Sequence, residues 1–155
     1  MRRIGLYAAG LILAVFLALT LATASRAKAP VAHTCSVTDR QFIDTAQTNM
    51  TALGLWAEQY QSGDTPADDL VSEATSAAKI VAGTSPTDTS LAATRALMIS
   101  MFREYAQGVR DHAHGRRGVA EHVGRAYALA NSAHDVLAAA AGGLARRGCD
   151  VRPLL

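Results

Sequence analysis

The sequence lacks the short motifs that mark the commonest catalytic and cofactor sites. It contains no G-x-S-x-G nucleophile turn, no phosphate-binding loop and no H-E-x-x-H zinc motif. It also has no C-x-x-C pair, which excludes the usual thiol–disulfide oxidoreductase site. Aromatic residues make up only 5% of the chain, and none are interleaved with the arginines as a platform for nucleic-acid bases. These absences favour a non-catalytic protein that does not bind nucleic acid.

Charge is absent from one long segment near the N-terminus. No charged residue occurs from Ile4 to Ala24, and a helix of that length would extend roughly 32 Å, enough to cross a bilayer core. Arg2 and Arg3 favour an N-terminus that stays inside, so that the chain faces outward beyond the segment. The stretch Ala22-Thr23-Ala24 is also an A-x-A pattern that a signal peptidase could cut. We expect either a single-pass anchor in the cell membrane or secretion after cleavage near Ala24.

Cysteine is scarce, and its placement agrees with export. The two cysteines, Cys35 and Cys149, bracket almost the whole remaining chain. In an oxidising compartment, such a pair predicts one disulfide bond, with two free buried thiols as the alternative. Residues 25–34 would then be a linker, residues 35–150 one extracytoplasmic domain and residues 151–155 a tail.

The domain has no period-two alternation long enough for a strand, and its apolar residues recur at helical steps of three and four. Helix starts are predicted at a capping box, Thr38-Asp39-Arg40-Gln41, at Thr65-Pro66, near Asp88 and at Val119. Helix stops are predicted at Ser62-Gly63 and at Gly83. The first and fourth apolar stripes consist of Ile43, Ala46, Met50, Leu53, Ala57 and Tyr60, and of Val119, Val123, Ala126, Ala130, Ala133, Leu137, Ala140 and Leu144.

Four such helices with short connections predict an all-α fold, an up-down-up-down four-helix bundle closed by the disulfide. That topology places the start of the first helix and the end of the fourth at the same end, as Cys35–Cys149 requires. The stripe of the fourth helix is mostly alanine, so we expect its neighbours to approach closely and to leave little room for a large cofactor cavity. A ferritin-like di-iron centre is not expected. The chain has no Glu-x-x-His pair, and its four glutamates fall outside the stripes: Glu58, Glu73, Glu104 and Glu121.

Three of the five histidines lie close together in the stretch DHAHGRRGVAEH. His112, His114 and His122 could converge at the turn between the third and fourth helices and bind a transition metal or haem. The flanking arginines and the two glycines of the turn instead favour a solvated hairpin tip with one half-buried histidine. Both interpretations stay open at this point.

Charge is divided unequally along the domain. Residues 36–90 contain eight acidic and two basic side chains, whereas residues 91–155 contain nine arginines and five acidic side chains. The two halves can pack as an acidic and a basic hairpin, or offer oppositely charged faces to partners. If the anchor is retained, a membrane-proximal basic set could meet anionic headgroups. That set comprises Arg26, Lys28, Arg146, Arg147 and Arg152.

Two functions follow as expectations. The first is a non-catalytic, membrane-anchored or secreted helical module of the bacterial cell envelope, an accessory or interaction protein with an envelope protein as partner and no cofactor. The alternative is a metal- or haem-binding envelope protein that uses the histidine cluster of His112, His114 and His122. Convergence of the three imidazole rings would distinguish them.

Overall fold

The computed structural model describes residues 34–155. The predicted anchor or signal segment at residues 4–24, together with Arg26 and Lys28, lies outside the described residues. The described chain confirms the all-α prediction and the number of helices. Among these helices, none is both long enough and apolar enough to span a membrane. The elements are α1 (Val37–Ser62), α2 (Ala67–Ala82), α3 (Thr89–Ala113), α4 (Val119–Arg146) and a short 3-10 turn (Arg152–Leu154).

The helix ends follow local chemistry, with two shifts from the sequence prediction. The N-cap of α1 is Ser36 rather than Thr38, because the Ser36 hydroxyl accepts from the Asp39 backbone N–H at 3.0 Å. The N-cap position of α2 is Pro66 rather than Thr65, and it has no side-chain cap bond. Asp88 caps α3 as predicted and accepts from two backbone N–H groups.

The helices alternate in direction, and the disulfide closes one end of the assembly. Cys35 and Cys149 are bonded across 114 positions of sequence, which confirms the predicted pairing. At the same end, which we call the disulfide end, the loop between α2 and α3 meets the start of α1 through hydrogen bonds from Thr87 to Asp39. At the opposite, distal end, the rings of Tyr60 and His112 pack edge to face with centroids 6.5 Å apart.

Asp39 is the polar centre of the disulfide end. Its carboxylate is only 5% exposed and accepts hydrogen bonds from the backbone N–H groups of Thr87 at 2.7 Å and Asp88 at 3.0 Å. The Thr87 hydroxyl donates a third bond at 3.1 Å. Burial, the largest single influence, would raise the pKa of Asp39, but these bonds and the one with Ser36 outweigh it and lower the pKa. The ionised carboxylate therefore joins α1 to the α2–α3 loop.

The core lies along α3, which packs against α2 on one side and α4 on the other. Phe42, Leu70, Leu91, Phe102 and Leu137 are almost fully buried there. The segment His33–Leu155 forms a compact unit, and its described buried core, together with both cysteines, lies between residues 35 and 151.

The four helices do not close into a complete ring. Within the described residues, no Cα atom of α1 lies within 8 Å of a Cα atom of α4, although each helix packs against its neighbour along the chain. The expectation of close approach to the alanine stripe is therefore right for α3 and wrong for α1. On the α3 side, a Cβ atom at Gly108 would lie 3.0 Å from Val123 Cγ2, so glycine permits that close packing.

Candidate functional site: an apolar cleft between α1 and α4

The three clustered histidines take different roles at the distal end. His112 packs its ring against Tyr60, and His114 Nδ1 hydrogen-bonds to the Arg110 carbonyl oxygen at 2.7 Å. His122 faces the third helix, where its Nδ1 lies 2.8 Å from Glu104 Oε2. The structure therefore does not bring the three imidazole rings to one point.

His122 belongs to an ion-pair network that joins α3 to α4. Arg125 Nε donates to Glu104 at 2.9 Å, and Arg125 also pairs with Glu121. His122 Nε2 lies 3.5 Å from Asp111 Oδ2, while its Nδ1 can donate to Glu104 or accept from Arg125, depending on the tautomer. The hydrogen bond from His122, followed by the one from Arg125, lowers the pKa of Glu104. This network holds two helices together and leaves no free ligand set.

The described residues give the metal or haem hypothesis no geometric support. No group of three histidine, cysteine, aspartate or glutamate side chains in residues 34–155 is arranged to hold a metal ion. The one candidate imidazole with acidic neighbours, His122, has both ring nitrogens directed at groups that are themselves paired with arginines. The residues present do not fit a metal centre.

The described members of the membrane-proximal basic set are mostly paired. Arg147 donates to Asp88, the N-cap of α3, and Arg152 donates to Asp150 at 2.6 Å. The hydrogen bond from Arg152 lowers the pKa of Asp150 to about 2. Within the described chain, only Arg146 of the set has no carboxylate within 4.0 Å. Two of the three described arginines of the set are therefore paired with carboxylates of the same chain.

The gap between α1 and α4 forms an elongated apolar cleft with α3 as its floor. It consists of two cavities of about 250 and 310 Å³ that share Met50, Met101 and Ala130 as lining residues. Along α4 the lining extends from Val123 to Leu137, which is roughly 21 Å of helix. We call this surface the α1–α4 cleft. Its further lining residues are Leu53, Gly54, Ala57, Thr94, Met98, Tyr105, Ala126, Tyr127, Ala133, His134 and the tail residues Pro153, Leu154 and Leu155.

The tail closes the cleft at the disulfide end. The 3-10 turn Arg152–Leu154 contacts both α1 and α4, and Val151 before it is buried. At the distal end the lining stops at Tyr105 and Val123, near the start of α4. The cleft is thus an elongated groove that the tail bounds at the disulfide end.

Among the described lining residues of the α1–α4 cleft, no side chain is a carboxylate, lysine or arginine, and the only ionisable side chains are Tyr105, Tyr127 and His134. Burial, and next the nearby Tyr60, raise the pKa of Tyr105, so its hydroxyl is uncharged at neutral pH. Three lining side chains are methionines, which adapt their shape readily to an apolar guest. The cleft is suited to a neutral, flexible apolar group.

Sequence reasoning named many residues of the cleft but assigned them to the core. Met50, Val123 and Ala130 all belong to the predicted apolar stripes, yet Met50 is 40% and Val123 44% exposed. Exposed Tyr127, 70% accessible, lies beside them on α4. The sequence contains one sign of the cleft, which is that the fourth stripe is rich in alanine whereas the first contains large residues. This contrast did not show that the two stripes face each other across a gap.

Comparison with known proteins does not place this chain in a family. No family model matches it, and neither a curated protein nor a solved structure matches it at a significant level.

Proposed function

We propose that this protein is a non-catalytic helical module of the bacterial cell envelope that acts by binding, with the α1–α4 cleft as its binding site. Residues 4–24 would anchor it in the membrane, or cleavage near Ala24 would release it. In either case the disulfide-bonded domain faces an oxidising compartment, which agrees with the bond between Cys35 and Cys149.

The observation that carries this proposal is the α1–α4 cleft itself. A stable four-helix domain normally buries its apolar stripes against one another, but here Met50 and Val123 stay 40% and 44% exposed. Exposed apolar groups gathered in a concave surface mark binding sites for ligands or partners.

The polar clusters support a binding role over a catalytic one. The carboxylates of Asp39, Asp88 and Glu104 are each held by hydrogen bonds that join separate elements. Each has a lowered pKa, whereas a general acid or base working near neutral pH needs a raised one. These groups stabilise the fold and lie outside the lining of the α1–α4 cleft.

A photo-crosslinking amino acid placed in the full-length chain in its own cells tests the proposal. Met50 lines both cavities of the cleft, whereas Leu55 lies on the same helix, is 56% exposed and does not line it. We expect a discrete cross-linked product from position 50 that position 55 does not give. Identical products from both positions, or none from position 50, would refute a binding role for the cleft.

A further inference from the structure

The shape and chemistry of the α1–α4 cleft identify a class of ligand. We propose that the cleft binds the hydrocarbon chain of a long-chain fatty acid, with the carboxylate directed towards the α3–α4 loop. This inference rests on the proposed function and specifies the occupant of the same site.

The volume of the cleft favours a narrow occupant. Its two cavities measure about 250 and 310 Å³ and are joined end to end through Met50, Met101 and Ala130. A partner helix about 10 Å wide would fill roughly 800 Å³ for every 10 Å of its length. An unbranched hydrocarbon chain is far thinner than a helix and can follow an elongated channel between two helices. The two cavities therefore have room for a whole hydrocarbon chain, but for only one side of a helix.

The lining supplies few partners for an extended polar backbone. A bound peptide strand would bring amide groups that need hydrogen bonds, and leaving them buried without partners is costly. The described walls are mostly methionine, leucine and alanine side chains, and their polar side chains are Thr94, Tyr105, Tyr127 and His134. A hydrocarbon chain needs no such bonds, and the flexible thioethers of Met98 and Met101 can pack along it.

The distribution of charge orients the ligand. At the disulfide end the cleft is lined by Pro153, Leu154 and the exposed imidazole of His134, with no lysine or arginine in the lining. The other end lies near the α3–α4 loop, where Arg116 and Arg117 are exposed. Val123, at that end of the lining, is only four residues from the start of α4, which is roughly 6 Å along the helix. Arg116 lies 3.8 Å from Asp111, whereas within the described residues no carboxylate lies within 4.0 Å of Arg117. Arg117 is therefore the loop cation available to a carboxylate, with Arg116 beside it.

The first test is a titration of the disulfide-bonded unit formed by residues 33–155 with fatty acids from octanoate to stearate. Each methylene that enters the cleft should raise the affinity about fourfold, until the chain fills the cleft and the affinity levels off. An affinity that does not depend on chain length, or no binding at all, would overturn the inference.

Two pairs of matched variants test the location. Ala130→Trp fills the junction of the two cavities, whereas Ala128→Trp adds the same side chain to an exposed position of α4 that does not line them. Met50→Glu places a charge in the cleft, and Leu55→Glu places one outside it. We expect the cleft variants to weaken binding at least about tenfold, the loss of about two buried methylenes, and the controls to change it little. If Ala130→Trp does not fold, the comparison of Met50→Glu with Leu55→Glu still tests the location. Equal effects within each pair would overturn the proposed site.

The orientation of the ligand is tested separately, by the preference of the protein for a fatty acid over the fatty alcohol of equal chain length. The double variant Arg116→Gln with Arg117→Gln should remove this preference, whereas Arg146→Gln at the disulfide end should leave it unchanged. A wild-type protein that binds acid and alcohol equally would overturn the assigned orientation.

In cells, a lipid cross-linked at Met50 supports the inference. A protein cross-linked there would overturn the fatty-acid assignment and leave the cleft as a binding site. No cross-link there would refute both.

Discussion

Replacing Asp39 tests whether the disulfide end is held together by one buried carboxylate. This side chain is only 5% exposed and accepts bonds from the Thr87 backbone N–H, the Asp88 backbone N–H and the Thr87 hydroxyl. Asp39→Ala removes both acceptor oxygens, and with them all three hydrogen bonds, and leaves two backbone donors facing a small void. Asp39→Asn removes the charge but keeps a side-chain oxygen that can accept from the backbone.

The expected losses follow from the number and type of these bonds. Leaving a buried donor without a partner costs about 1–3 kcal/mol, and the loop that carries Thr87 can relax towards water. We therefore expect Asp39→Ala to lower the free energy of unfolding by about 2–4 kcal/mol. Asp39→Asn should cost about 1 kcal/mol, since a charge-assisted hydrogen bond is replaced by a neutral one. Asp44→Ala, at an exposed position of α1, should change it by about 0.5 kcal/mol or less.

The dependence on pH has a definite sign. Hydrogen bonding lowers the pKa of folded Asp39, so ionisation of this group contributes stability that is fully present above the pKa of the unfolded chain, about 3.9. That contribution is lost as the pH falls through the folded pKa. The difference in stability between the wild type and Asp39→Asn should therefore be largest near neutral pH and shrink in acid.

Urea unfolding of residues 33–155, followed by circular dichroism at neutral and acidic pH, measures these quantities. The disulfide must stay oxidised throughout, because its reduction would change the unfolded state. If Asp39→Ala were as stable as Asp44→Ala, or if the Asp39→Asn difference grew in acid, the structural role given to this carboxylate would be wrong.

Two further predictions concern other contacts of the fold. Replacing both Cys35 and Cys149 by alanine should lower the free energy of unfolding by about 5 kcal/mol in the chain-entropy treatment of a loop this long, a loss that urea unfolding measures directly; a change below about 1 kcal/mol would contradict it. Gly124→Ala, with no atom within 4 Å of the added Cβ, should raise it by about 0.5–1 kcal/mol through helix propensity. Gly108→Ala should not raise the free energy of unfolding in this way, because its Cβ would lie 3.0 Å from Val123 Cγ2. Equal stability of the two glycine variants would show that α3 and α4 can separate without cost.

The helices were predictable from the sequence because their signals are local. A stripe of apolar residues at steps of three and four, together with caps such as Asp88 and Gly63, reports on a few turns of one helix. The disulfide was also predictable, since two cysteines allow only one intramolecular pairing. The first cap was misplaced at Thr38 because Ser36 lies outside the apolar pattern, and because the Asp39 carboxylate is engaged by a loop about fifty residues further along the chain.

The candidate site depended on tertiary structure. The apolar stripes included Met50, Val123 and Ala130 as core residues, but periodicity gives only the direction in which a side chain points from its own helix axis. It does not give the distance to the helix opposite. That distance is set by the packing of α3 against its two neighbours and by the tail that contacts both α1 and α4 at the disulfide end. Likewise, three neighbouring histidines could be read from the sequence, but the direction of each ring was decided by its partners in space, Tyr60, Arg110 and Glu104.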